Sequence, residues 1–288
     1  MTVAVSKEAR MRSARTRRLA VHTITHLFLL FFSFLMLLPF VWMILSSFKS
    51  DAEILTVPVT WIPRAWHPEN YLTTMQTAPW GTYFFNTTLV TAATILGQLV
   101  VASMAAYAFA RLRFRGRDVM FVVYLSTMML PFQVTMIPMF KIVKTLGWMD
   151  SLISLIVPGL FSVFGVFMLR QFFLSIPTEL EDAAKIDGCG YPRIFWEVVI
   201  KNSKPALVTL TLFIFMGTWN DFLRPLLFLN DKALWTLSLG LSKFKGQYTS
   251  LWSCMMCGAV ITILPIMCVF FFAQKYFIEG IVTSGLKG

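Results

Sequence analysis

The chain has 288 residues, of which 57% are hydrophobic and only 14% are charged. A soluble domain carries roughly 25% charged residues, so a large water-soluble core is excluded, as the mean hydropathy of +0.70 also indicates. The formal net charge of +11 would suit nucleic acid in a soluble protein; here the basic residues gather at the ends of apolar runs, where they report membrane topology, and no nucleic-acid partner is expected.

Residues 1–20 are polar and basic, with Lys7, Arg10, Arg12, Arg15, Arg17 and Arg18. A cleaved leader does not fit, because the apolar run that follows is too long and has no small-residue cleavage site. That run, 22–48, is the first of six expected spans, each about 20 residues or more and so able to cross the hydrocarbon layer. Pro39 lies inside it, which membrane helices tolerate. His22 and His26 sit one turn apart and read as an interfacial pair, since no third metal ligand is near. The loop over 49–83 holds Trp61, Trp66, Tyr71, Trp80 and Tyr83. These aromatics suit an interfacial belt and loop core; stacking on sugars is the alternative.

The second span, 84–110, carries Ala102, Ser103, Ala105, Ala106 and Ala108, small residues that let helices approach closely. A basic turn with Arg111, Arg113, Arg115 and Arg117 leads to a third span at 119–140, interrupted by Pro131 and Pro138. The fourth, 151–173, contains Pro158 and Gly159. The fifth, 205–229, holds Trp219, Asn220, Asp221, Arg224 and Pro225, and the sixth, 256–278, contains Pro265. Asp221 and Arg224 share a helical face at i,i+3. Either they neutralise each other, or Asn220 and Asp221 face a translocation path and hydrogen-bond a solute. Cys254 and Cys257 form a CxxC without a second pair or a histidine, so these residues, Cys189 and Cys268 read as packing residues. No metal or cofactor is expected.

The stretch 176–205 is the one long polar interval with helix-forming signals. Pro177 suits a helix start, and Glu179, Glu181 and Asp182 favour the positive end of a helix dipole. Leu180, Ala183, Ala184 and Ile186 make a small apolar stripe. Gly188 and Gly190 break the helix, with positive φ expected at Gly188, and Pro192 opens a second helix carrying Ile194, Phe195, Val198 and Val199. Two short helices joined at a glycine turn form a knob that can dock into a groove on another protein. Glu181 and Asp187 fall on its polar side, available to basic groups on that partner or to cap their own helices. The Lys and Arg count places this hairpin, the 111–117 turn and both termini on one side, against Lys49, Arg64, Lys141, Lys144, Lys232, Lys243 and Lys245 on the other. The excess makes the first side cytoplasmic.

Glu181-Asp182-Ala183-Ala184, then Asp187-Gly188, Phe195, Val198, Ile200 and Pro205, resemble the EAA loop of ABC-importer permeases. With Trp219-Asn220-Asp221 and the closing residues 272–288, the chain from about residue 20 onward is similar to the second permease subunit of maltose-type carbohydrate importers. Asp182 replaces a glutamate of that pattern, Lys201 a frequent proline, and Arg224 a common aromatic. The resemblance implies an all-α transmembrane domain over 21–288 and a cytoplasmic coupling loop, 176–205, whose Glu181, Ala183, Ala184, Asp187 and Gly188 meet the ATPase. It implies a homologous second permease subunit, an ATPase dimer and an extracytoplasmic solute-binding protein as partners, in the lipid of a bacterial plasma membrane. Trp219, Asn220 and Asp221 are the candidate substrate path. No P-loop, GxSxG or HExxH occurs, so no catalytic residue is assigned and ATP hydrolysis falls to the partner. Glycerol phosphate or a polyol is the alternative solute. A secondary transporter would need more intramembrane charge.

Overall fold

The computed structural model describes residues 2–246 and 251–285, with side-chain surroundings for 18, 19, 21–246, 251–272 and 274. The side-chain surroundings of the basic residues expected at 7–17 and of most of the closing 272–288 stretch lie outside that description. Among the described residues every regular element is helical: α1 Thr2–Ser47, α2 Asp51–Ile54, α3 Glu69–Thr77, α4 Trp80–Arg111, α5 Arg117–Ser126, α6 Phe132–Thr145, α7 Ile153–Gly159, α8 Val163–Leu174, α9 Glu179–Ile186, α10 Tyr191–Ile194, α11 Lys204–Trp219, α12 Leu223–Phe228, α13 Leu237–Leu241 and α14 Trp252–Gly285. Among the described residues, four stretches are long and apolar enough to span by themselves: Val21–Ser47, Trp80–Arg111, Ile153–Leu174 and Trp252–Phe272. Two bent pairs bring the candidate spans to six. Arg117–Met129 meets Phe132–Thr145 at 101°, and Tyr191–Ile200 meets Lys204–Trp219 at 82°.

The helix is interrupted within three of the expected spans, each time for a local reason. At 119–140 the helix tightens to a 3₁₀ turn over Thr127–Met129, and Leu130 is extended, with ψ 115°, before Pro131. A residue preceding proline is pushed out of the α region by the pyrrolidine ring. At 151–173 the Pro158-Gly159 pair ends α7, and Ser162 caps α8 by accepting from the Gly165 N–H at 3.0 Å. At 205–229 the helix stops at Trp219. Asn220 Nδ2 donates back to Met216 O at 2.9 Å, and Asp221 Oδ1 accepts the Arg224 N–H that opens α12. Asn and Asp side chains offer the backbone these alternatives to continued helix.

The chain divides into two compact units, Met1–Thr74 with Gln247–Val260, and Met75–Gly246 with Ile261–Gly288. In the first, α1 exposes its apolar side chains on all sides over residues 21–37, while Ser46, Ser47 and Lys49 at its end are buried. A fully apolar exposed helix is a span facing lipid or a partner, not a core helix of a soluble fold. The loop after it is organised by its aromatics, Trp61 against Trp42 and both Trp66 and Tyr71 against Phe48, with ring centroids 5.4 Å apart in each case. Asn70 Nδ2 ties the loop to Ser47 O and Lys49 O. The aromatics of this segment thus build a loop core.

In the second unit α4 is the central post. Its small face, Ala102, Ser103, Ala106 and Ala110, is buried against α8 and α11, which supply Val166, Leu169, Phe173, Leu210 and Ile214. In lipid there is little hydrophobic gain in bringing helices together, so close van der Waals approach through small residues supplies the attraction. At Gly165 a methyl group would lie 3.3 Å from Leu210 and 3.4 Å from Gln98. α9, α10 and a π-helical turn over Phe195–Ile200 hang between α8 and α11.

Candidate coupling hairpin and translocation cleft

The hairpin starts two residues later than its proline suggested: Glu179 is the first helical residue, Thr178 is the N-cap and Pro177 lies outside the helix. Its glycine turn has the geometry of a Schellman C-cap. Gly188, at φ 77°, donates its N–H to Lys185 O at 3.0 Å, and Cys189 donates to Ala184 O at 2.9 Å. These bonds satisfy carbonyls that the end of α9 would otherwise leave unpaired. Pro192 then falls in the first turn of α10, after an extended Gly190. Lys201, where a proline was the more common residue, donates its N–H to Val198 O and its ammonium to Glu197.

Ala183, Ile186, Asp187 and Gly188 are exposed and Ala184 is half-buried. Ile186 is 87% exposed, and Leu180, Tyr191 and Trp196 are open as well. Asp182 accepts from Lys185 Nζ at 2.9 Å, and that bond raises the Lys185 pKa. Glu181 departs from expectation. It is not on the polar side of the hairpin but buried, and it pairs with Arg111 Nε at 2.9 Å, the two side chains 8% and 7% exposed. A carboxylate is buried only where a cation meets it, and the basic turn at the end of α4 supplies one.

Of the three candidate path residues, Asn220 and Asp221 line one depression and Trp219 does not. Trp219 is buried, with its indole N–H on Thr262 O at 3.1 Å, so it packs the bundle rather than lining a passage. Asn220 is exposed and shares a depression of about 300 Å³ with Asp221, Phe132, Phe222 and Arg224. Asp221 pairs with Arg224 Nε at 2.5 Å, so of the two readings of this pair the geometry realises mutual neutralisation. A different cleft, of about 270 Å³, opens where the α7–α8 and α11–α12 breaks face α4, and Thr94, Gln98, Ser162, Thr218 and Arg224 furnish its polar groups. Thr94 Oγ1 is buried without a hydrogen-bond partner. In membrane proteins irregular backbone is tolerated where it lines a cavity, and broken helices meeting at a cleft are the usual architecture of a solute site. Polar residues three or four positions apart on α4, Thr87, Thr91, Thr94 and Gln98, are the pattern in the chain that marks this face.

Broken spans, a mid-bundle cleft and a hairpin with an open apolar face define a membrane transport subunit built to dock onto something else. The family model of the binding-protein-dependent transport system inner membrane component matches residues 98–282, and the chain belongs to that family. The arabinooligosaccharides transport system permease protein AraQ of Bacillus subtilis (strain 168) is 34% identical, over 91% of this chain and 94% of its own length. The sn-glycerol-3-phosphate transport system permease protein UgpE of Yersinia enterocolitica is 31% identical, over 90% of this chain and 95% of its own. The crystal structure of a bacterial ABC transporter involved in the import of the acidic polysaccharide alginate contains a chain that superposes with a TM-score of 0.78 at 25% identity, covering 88% of this chain and 95% of that one.

Proposed function

We propose that this chain is the permease subunit that carries a carbohydrate through the plasma membrane in a bacterial ABC importer. A homologous second permease subunit, a pair of ATPase subunits and an extracytoplasmic solute-binding protein complete the machine. Both termini and the 176–205 loop face the cytosol, and the chain has no ATPase site of its own. The observation that carries this reading is the hairpin, a capped helical knob exposing Ala183, Ile186 and Tyr191 beside Gly188. Closure of the ATPase dimer would displace the docked knob and with it α4, α8 and α11, opening the cleft outward. The cleft favours a neutral polyhydroxylated solute. Its hydroxyls and amide can exchange hydrogen bonds with sugar hydroxyls, while its one cation, Arg224, is already matched by Asp221, which disfavours glycerol phosphate.

The test is reconstitution of the chain with its sister permease, ATPase and solute-binding protein in proteoliposomes. Uptake of labelled oligosaccharides should require ATP on the ATPase side. Uptake driven by a proton gradient without the ATPase would make the chain a secondary transporter. Uptake of glycerol phosphate with none of any sugar would overturn the substrate class. In intact cells, cysteines placed at Arg115 and Gly190 should resist an impermeant thiol reagent that labels a cysteine at Trp66; the reverse pattern would overturn the orientation.

A further inference from the structure

Glu181 is the one buried residue of α9. The helix that presents the docking face is therefore held by a charge instead of an apolar stripe, whose members Leu180 and Ile186 point outward. Its partner Arg111 is the last residue of α4. The same guanidinium reaches a third element, donating from Nη2 to Phe173 O at 2.5 Å and Ile176 O at 2.6 Å, at the end of α8. The Nε–Oε1 pair lies off the hydrogen-bond axis, so charge holds the carboxylate while directed hydrogen bonds hold the carbonyls. The planar fork of arginine serves several acceptors at once, which an ammonium group does less well. α8 returns the arrangement, since Arg170 Nε donates to Phe109 O at 3.2 Å. Each of the two post helices thus has an arginine on the other's C-terminal carbonyls, where cations are favoured by the helix dipole.

We propose that Arg111 is a positioning residue, a three-way joint through which α9 moves α4 and α8 as one rigid body when the partner ATPase acts. This rests on the reading of the hairpin as the docking element. Without the joint, α9 is tethered by chain connectivity and by exposed contacts alone, and a push on it bends the tether before it displaces the spans. A buried carboxylate left without its cation is strongly unfavourable, so α9 either keeps the pair or leaves its seat.

The joint is tested in the complex reconstituted with its ATPase subunits and freed of native cysteines, with spin labels at Glu179 on α9 and Met104 on α4. Both positions are exposed and neither belongs to the joint or the docking face. The interlabel distance is read with no nucleotide and with ATP trapped by vanadate. In the otherwise unmodified complex the distance should stay constant while the ATPase turns over. In Glu181→Gln and Arg111→Gln it should shift on trapping by more than the ~2 Å typical of helix shifts at interfaces. Should the single variants fail to assemble, the exchanged pair Arg111→Glu with Glu181→Arg restores the charge match but not the hold on the α8 carbonyls. It should assemble and keep the α9–α4 distance constant, because the charge that ties those two helices is restored. A distance that changes in the parent complex or in the exchanged pair, or one that stays fixed in single variants that assemble, overturns the proposal. A parent complex that recovers no ATPase subunit refutes the docking reading instead, before any distance is measured.

Discussion

Replacing Gly188 separates the backbone role of the coupling turn from its surface role. The residue sits at φ 77°, and a Cβ built on it meets nothing within 4 Å, so within this chain a substitution is penalised by conformation and not by a clash. An L-residue in the left-handed region costs roughly 1–2 kcal/mol, and asparagine and aspartate cost less because their side chains bond locally. At about 1.4 kcal/mol per factor of ten, Gly188→Val should lower the population of correctly capped turns roughly 5- to 30-fold, Gly188→Ala somewhat less, and Gly188→Asn least. The assay is recovery of ATPase subunits with a tagged chain, followed by ATP-dependent uptake. The order Asn, Ala, Val from best to worst is expected if conformation dominates. Gly188→Asp then becomes diagnostic, because its backbone cost is small: a chain that inserts normally but loses the ATPase, or hydrolyses without transport, reports a charge placed against the partner's surface. Full activity in Gly188→Val would refute the conformational argument, and full ATPase recovery and uptake in Gly188→Asp would mean that this turn does not meet the ATPase.

The Asp150 carboxylate accepts from the Asp231 N–H at 2.9 Å and from both the side chain and the backbone of Asn230. Those bonds, the Asp231 N–H first, depress its pKa. Its contribution to stability is therefore complete above the unfolded value of about 3.9 and fades as pH falls through the lower folded value. The difference in melting temperature between wild type and Asp150→Asn should be greatest near neutrality and vanish in strong acid; a difference independent of pH would contradict this. Asn220→Leu should leave transport nearly unchanged if the Thr94–Arg224 cleft is the path, whereas a several-fold rise in KM would return Asn220 to the passage. Asp221→Asn strands the half-buried Arg224 and should lower complex yield more than the double variant Asp221→Asn/Arg224→Gln does, as removal of one partner of a shielded pair does. Equal yields would show that the pair is not coupled.

Hydrophobic run length and the Lys/Arg distribution carried the fold class, because membrane insertion depends on features local to each segment. The hairpin was legible for the same reason: proline, acidic first turn and the Gly188 stop act over a few residues, and the Schellman bonds at Gly188 follow from that stop. Chain order alone did not reveal where polar side chains go once helices pack. Glu181 reads as a surface charge within its own helix, yet Arg111, 70 positions earlier, buries it. Trp219 and Asn220 are sequence neighbours, but a helix end between them turns one into the bundle and the other outward. Arg170 interrupts an apolar stretch, and nothing local shows that it seats on the Phe109 carbonyl of a helix it meets only in three dimensions. A local pattern determines which segments form and where they stop, since each such choice is made within one or two turns. Which charge meets which carbonyl depends on the close approach of α4 and α8, and only the tertiary structure decides that.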